Sequence, residues 1–263
     1  MRDLEVSDLL SALRNGRLSR RAFTRRVTSM GLSAAAASIL AQSALAQPAT
    51  PASATPTTGV SRSITRDEYL AAVRREFPFD PPESRGGHVL QALPGDIVVL
   101  NPIVARDGFS AIVIGNIFSF IVQPSVLDGS WAPDLADYWE VSGDGTVYTF
   151  YLNPVARWHD GAPLTAHDCA FTLDAVLDEG GLSGVRSDVT RVVKSYRAVD
   201  DHTFELVARQ PVAILLDKSV GGLAIVPKHI WEPIPFSEWG AAPGATGTDP
   251  TQVVGSGPFR FSE

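Results

Sequence analysis

Between positions 159 and 169 the chain places His159, Asp160, His167, Asp168 and Cys169, the densest run of groups able to hold a metal or move a proton. Two histidines and two carboxylates are the right donors for a divalent cation. The same letters also read as turn and cap chemistry. Asp160-Gly161 makes a tight turn, and Thr165 with Asp168 three residues on opens a helix. Cys169 is the only cysteine, so no disulfide framework and no thiolate cluster forms within one chain; inside an apolar helical pattern it reads as a small buried hydrophobe. Gly86-Gly87 and Gly221-Gly222 lack the strand, glycine-rich loop and helix that cradle a phosphate. His159, His167, His202 and Asp160 supply the letters of a hydrolase but no Gly-x-Ser-x-Gly elbow accompanies them. One Cys, two Met and no dinucleotide loop speak against flavin, nicotinamide, haem or iron–sulfur chemistry, and no cofactor is expected.

The amino terminus carries a different kind of information. Ser19-Arg20-Arg21-Ala22-Phe23-Thr24-Arg25 matches a twin-arginine export signal, with Arg20, Arg21 and Phe23 as its recognition residues. Residues 27–46 hold no charge and close on Ala44-Leu45-Ala46, a small-x-small cleavage pattern. Twenty uncharged residues would also just span a bilayer as an uncleaved anchor. The Ala, Ser and Gly content and the cleavage pattern favour a signal (1–46) removed after Ala46, which places the mature chain in the periplasm and makes the twin-arginine translocase its partner in export. That route serves proteins that cross already folded, often with cofactors, which raises an exported oxidoreductase or hydrolase as an alternative. Residues 47–60, rich in Pro, Ala and Thr, read as an extended linker.

Charge divides along the same boundary. With the +4 of residues 1–26 taken from the total of −7, the remainder carries −11. Such a surface repels nucleic acid and anionic lipid and favours neutral or cationic ligands; it also simply keeps an exported protein soluble.

The elements that must position any site follow from periodicity and turn signals. Thr65-Arg66-Asp67-Glu68 is a capping box opening a helix with Tyr69, Val73 and Phe77 on one face, stopped at Pro78; helix and linker occupy 61–86. Residues 88–93 read as a strand ended by Pro94-Gly95-Asp96. Residues 109–120 read as a buried helix, although apolar all round, so that periodicity does not exclude a strand. Residues 147–152 read as a strand after the turn at Ser142-Gly143-Asp144-Gly145, and Thr165 opens a helix running to about Asp178. Residues 192–199 and 203–208 form a hairpin. A short helix after Pro211, a strand over 223–226 and a helical turn from Pro227 complete the pattern. Irregular alternation with one hairpin implies a mixed α/β domain over 87–263, not a doubly wound nucleotide fold.

Several ordered stretches resemble the family 5 solute-binding proteins, which deliver peptides, nickel complexes and some oligosaccharides to ABC importers. They are Leu100-Asn101-Pro102; Trp131 through Ser142, with Pro133, Leu135-Ala136 and Trp139; Gly145 through Leu152; Trp158-His159-Asp160-Gly161 with Pro163 and Thr165-Ala166; Val226-Pro227-Lys228-His229-Ile230-Trp231; and Val254-Gly255-Ser256-Gly257-Pro258-Phe259. Trp131, Trp139 and Trp158 in these stretches read as core anchors. The resemblance implies a type II periplasmic-binding-protein-like lobe, with the first lobe only and the second largely missing. It implies a non-enzymatic module that closes on a small solute, an oligopeptide or dipeptide by default, and hands it to ABC permease subunits. It points to the loop after Asn101 (Arg106, Asp107, Phe109) and to Gly222, Leu223 and Ala224 as ligand contacts. A remnant without activity is the alternative that the missing lobe suggests.

Overall fold

The computed structural model describes residues 22–23, 60–78, 88, 90–212, 215–218 and 221–262. The chain divides into units 1–55 and 56–263. Of the first unit only Ala22 and Phe23 are described, both helical. The twin-arginine pair Arg20 and Arg21, the cleavage residues Ala44 and Ala46, and the linker up to Gly59 lie outside the described residues.

The second unit is built on an antiparallel sheet. Its strands are β1 (Ser61–Arg62), β4 (Ala136–Val141), β5 (Val147–Leu152), β6 (Val193–Ala198) and β7 (Thr203–Ala208), in the order β1-β4-β5-β7-β6. A separate two-stranded ribbon pairs β2 (Val122–Pro124) with β3 (Trp131–Pro133). The period-2 alternation of the strands buries Trp139, Phe150, Leu152, Phe204 and Leu206 on one face. Helix α3 (Ala166–Leu177) covers β6 and β7, adding Cys169, Phe171, Leu173, Ala175 and Val176 to that core. The opposite face is polar, and the pairing register lays Arg62, Glu140, Thr149, Glu205 and Arg197 in a single row across all five strands. Beside this row Tyr138 and Tyr151 stack with ring centroids 4.5 Å apart, and Arg62 lies over Tyr138 at 5.7 Å.

Helix α1 (Arg66–Glu76) forms as its capping box dictates: Thr65 N donates to Glu68 Oε2 at 2.8 Å, and Glu68 N donates to Thr65 Oγ1 at 3.3 Å. Arg66 then reaches Asp137 at 2.8 Å and the Asp134 carbonyl, tying α1 to the sheet. The expected common face is only partly buried. Tyr69 is covered and accepts a hydrogen bond from Val126 N, whereas Phe77 is exposed because the helix ends there, at its C-cap. Helix α2 (Gly108–Ile117) settles the ambiguity of the apolar run in favour of a helix, capped by Asp107. Gly115 lies within it with open space where a side chain would stand. Gly115→Ala is expected to raise stability by about 0.5–1 kcal/mol in urea unfolding, because it removes backbone freedom from the unfolded chain without a clash.

Helix α4 (Arg186–Val192) runs directly into β6, and the 3₁₀ turns Phe236–Ala241 and Pro250–Gln252 flank α7 (Pro243–Thr246). Between them and α6 (Lys228–Trp231) an aromatic cluster forms: Trp231 and Trp239 lie 4.8 Å apart, and Phe171 and Phe236 pack on Trp239. The short helix expected after Pro211 is α5 (Leu215–Lys218).

Two expected strands are not strands. His88 and residues 90–93 are irregular, with Leu90 almost wholly exposed, because no described backbone pairs with them. Residues 223–226 make one isolated antiparallel bridge, Phe120 to Ala224, which includes the bond from Ile225 N to Ser119 O at 3.0 Å. Their apolar character reflects burial, with their alignment set by side chains of α3 described below.

The turns of this unit are fixed by carboxylates. Asp107, Asp128, Asp144, Asp200 and Asp249 each accept backbone N–H groups one to three residues on, and hydrogen bonds from Ser110, Ser130, Ser142 and Thr146, His202, and Thr251 respectively hold their carboxyls below the ordinary aspartate value. Asp134 is the opposite case: burial raises its carboxyl, with partial relief from Phe120 N and Arg66. Groups held low contribute stability that is present above their unfolded value and is lost as pH falls through the folded one; Asp134 works in reverse. Glu68 and Asp160 are also held low, making seven against one among the described carboxyls, so thermal unfolding followed by circular dichroism should show a falling midpoint on acidification below about pH 4. A midpoint that stays level or rises there would show that these caps carry no net stability.

Candidate functional site

Two side chains shape one wall of a cavity from the sequence upward. Asn101 is fully buried, and its Oδ1 accepts hydrogen bonds from Ile103 N at 2.9 Å and Val104 N at 3.3 Å, curling the chain after Pro102 into a tight turn. Asp107 then starts α2 by accepting from Ser110 N at 2.8 Å, while Ser110 Oγ accepts from Val98 N and Val99 N and fixes the incoming chain.

The facing wall is hung on α3. Thr172 Oγ1 donates to the Asp168 carbonyl at 2.8 Å and accepts from Val226 N at 3.1 Å; Asp168 Oδ1 accepts from Lys228 N at 2.9 Å. Both side chains are buried, so segment 224–228 is held by polar contacts shielded from water. Gly221, just upstream, packs under Trp131, where a methyl group would stand 2.5 Å from the indole. Between the walls lies a cavity of about 200 Å³, bounded by the 102–105 turn, Ala111 and Ile114 of α2, Phe120, Gly184-Val185 and residues 222–224.

The structure distributes the six expected contact residues unevenly. Gly222, Leu223 and Ala224 line this cavity together with the turn after Asn101. Arg106 sits beside it, exposed, with Nη2 donating to Leu182 O at 2.9 Å and Nε against Gly184. Asp107 is occupied as the α2 cap. Phe109 turns away and lies over Gly95, where a Cβ would meet the ring at 2.2 Å. Sequence reading missed Ile103, Ile114, Phe120, Gly184 and Val185. They come from four separate segments whose convergence has no local signature.

The His and Asp run disperses in the fold. His159 Nδ1 accepts from Gly255 N at 3.2 Å and its Nε2 lies 2.9 Å from Gly257 O, so the ring bridges two points of the 255–257 segment. Asp160 Oδ2 meets His229 Nε2 at 2.6 Å. Burial pushes the Asp160 carboxyl up, but hydrogen bonds from His229 and Ala162 N and the nearby His229 ring outweigh it and hold it below its ordinary value. His167 faces Asp201 at 3.5 Å, and Asp168 holds Lys228. Among the described residues no group of three His, Cys, Asp or Glu could hold a metal ion. His159, Asp160, Thr251 and Arg260 line a second cavity of about 260 Å³ beside the carboxy-terminal segment. Trp139 and Trp158 are buried as core anchors, and Trp131 is half-buried over Gly221.

An antiparallel sheet with helices on one face, a separate ribbon, and a cavity at the junction of loops define part of a lobe of a type II periplasmic binding protein, mixed α/β in class. Solved structures of that class share the architecture. The ABC transporter substrate-binding protein CtaP of Listeria monocytogenes superposes with a TM-score of 0.54 at 29% identity, covering 65% of this chain and 33% of that one. DppA of Helicobacter pylori, solved with the peptide STSA, gives 0.52 at 26% identity, covering 64% and 35%. The family model of bacterial extracellular solute-binding proteins, family 5 middle, matches residues 130–263. The chain belongs to this family. Among curated relatives, the peptidoglycan-binding protein YepA of Agrobacterium fabrum is 30% identical over 204 residues, covering 73% of this chain and 31% of its own length. The periplasmic oligopeptide-binding protein OppA of Salmonella typhimurium is 27% identical over 178 residues, covering 60% and 28%. The chain thus spans about a third of the length of the curated relatives it matches.

Proposed function

We propose that this chain provides ligand-contacting surface of an ABC importer's substrate-binding component, which captures a peptide-like solute in the periplasm and presents it to permease subunits. The observation that carries the reading is the cavity between the Asn101 turn and residues 222–224 in a member of a solute-binding family. Relatives named for binding oligopeptides and peptidoglycan support a peptide-like solute. Residues 222–224, with Arg106 at the edge, are the proposed contacts; Asp107 and Phe109 act through the turn and helix that carry them. A binding module of this kind breaks no bond, so the buried Asp168 and the His159 ring serve position and not proton transfer.

The direct test is native mass spectrometry of the protein from its own host. A peptide-sized adduct lost on denaturation supports the reading; a protein that stays empty in a mixed peptide pool at millimolar concentration refutes it. Export is proposed to use Arg20 and Arg21. Replacing both with Lys should leave essentially all of the protein as uncleaved precursor in the cytoplasmic fraction, whereas normal periplasmic delivery of that variant would dismiss the twin-arginine assignment.

A further inference from the structure

We propose that the cavity selects a solute by one apolar side chain of leucine or phenylalanine size, a restriction that rests on the peptide reading above and narrows it. Every described residue lining the cavity has an apolar side chain or is glycine: Pro102, Ile103 and Ala105 of the turn, Ala111 and Ile114 of α2, Phe120, and the 184–185 and 222–224 segments. The polar side chains that build these walls do not line the cavity, and their acceptor oxygens are engaged with backbone N–H groups; Asn101 Nδ2 is buried without a partner, but Asn101 is not a lining residue. Asn101 Oδ1 holds Ile103 N and Val104 N, Thr172 holds Val226 N, and Asp168 holds Lys228 N. A carboxylate, amide or hydroxyl entering the cavity would give up part of its water and find no side-chain partner among the described lining residues, only main-chain groups, which disfavours it.

Size narrows the class further. Apolar cavities of about 150 Å³ accept a benzene-sized guest, and this one measures about 200 Å³. It therefore has room for one branched aliphatic or phenyl group. The mouth is open at Gly184 and Val185, both exposed, so a side chain can enter while the rest of the solute stays outside. Arg106, held at the rim by Leu182 O, is the charged group beside Gly184. It leaves the interior uncharged.

The test is isothermal calorimetry of the full chain with the tripeptides Ala-Leu-Ala, Ala-Phe-Ala, Ala-Asn-Ala and Ala-Asp-Ala. Leu and Asn match in shape and differ in polarity, so their ratio isolates the cavity's chemistry. The Leu and Phe peptides are expected to bind about 10- to 100-fold tighter than the Asn and Asp peptides, the range expected for burying one such side chain. Ala111 is exposed on α2 and lines the cavity, so Ala111→Phe fills it without disturbing the core, and Ala111→Asn adds a polar group to the wall. Both variants should melt like the parent and bring the Leu-to-Asn ratio close to one. Equal binding of all four peptides overturns the selectivity while leaving a peptide carrier in place. A preference that survives in both Ala111 variants overturns the assignment to this cavity. No binding of any of the four refutes the peptide reading and this inference together.

Discussion

Gly255→Ala is expected to destabilise the fold by about 3 kcal/mol or more, enough to abolish a cooperative unfolding transition in a marginally stable chain. A Cβ at this position would lie 2.0 Å from the Ile117 carbonyl oxygen and 2.6 Å from Ile117 Cγ2. The oxygen is not free to retreat, because it accepts from Gly257 N at 2.7 Å. The segment cannot withdraw either. Gly255 O accepts from His159 N, Gly255 N donates to the His159 ring, and Ser256 accepts from Ser119 twice, its Oγ from Ser119 N and its carbonyl from the Ser119 hydroxyl. Gly255 has no positive φ, so space and not backbone conformation demands glycine here. Urea unfolding of this variant against Gly115→Ala, where the added methyl meets nothing, separates the two causes. Equal stability of both would mean that the segment repacks freely and that the close approach to α2 is not part of the fold.

The second large effect is expected at Asp168. Its carboxylate accepts from Thr165 N at 2.8 Å and from Lys228 N at 2.9 Å while the side chain is 5% exposed. Asp168→Ala strands both donors away from water and frees segment 224–228 from α3, a loss of about 3 kcal/mol. Because residues 222–224 line the cavity, the same variant should weaken solute binding even under conditions where it remains folded. Asp168→Asn retains an acceptor and should recover part of both losses. Denaturant titration with a parallel binding measurement checks this pairing; stability lost without any change in binding would uncouple α3 from the cavity wall.

What the sequence made legible follows its local physics. The Thr65 and Thr165 capping boxes, the Gly145 and Gly161 turns with positive φ, and the 193–208 hairpin are local decisions of a few residues, and each stands where the residues put it. The strand readings at 88–93 and 223–226 failed because an apolar run specifies burial or extension but not a pairing partner. Residues 232–252 carried no expectation; the 3₁₀ turn Phe236–Ala241 is organised by Trp239, which packs on Trp231, Phe171 and Phe236 and donates from Nε1 to Ile234 O, and Pro250–Gln252 by the Asp249 cap. The cavity was half legible. The family resemblance pointed to 222–224, which line the cavity, and to Arg106, Asp107 and Phe109, which do not: Arg106 sits beside it, Asp107 caps α2 and Phe109 lies over Gly95. Ile114 and Phe120 belong to the wall only because α2 and the Ala224 bridge bring them there.

The charged row across the open sheet face reads the same from either edge: Arg62, Glu140, Thr149, Glu205, Arg197. Two copies stacking these faces about a two-fold axis through Thr149 would set Arg62 against Arg197, or against its own counterpart, and glutamate against glutamate. Like charges so opposed resist contact. The palindrome therefore disfavours that one in-register, two-fold stacking of the sheet face. The half-buried tyrosine pair beside the row is flanked by charges that a symmetric copy would meet with their own kind.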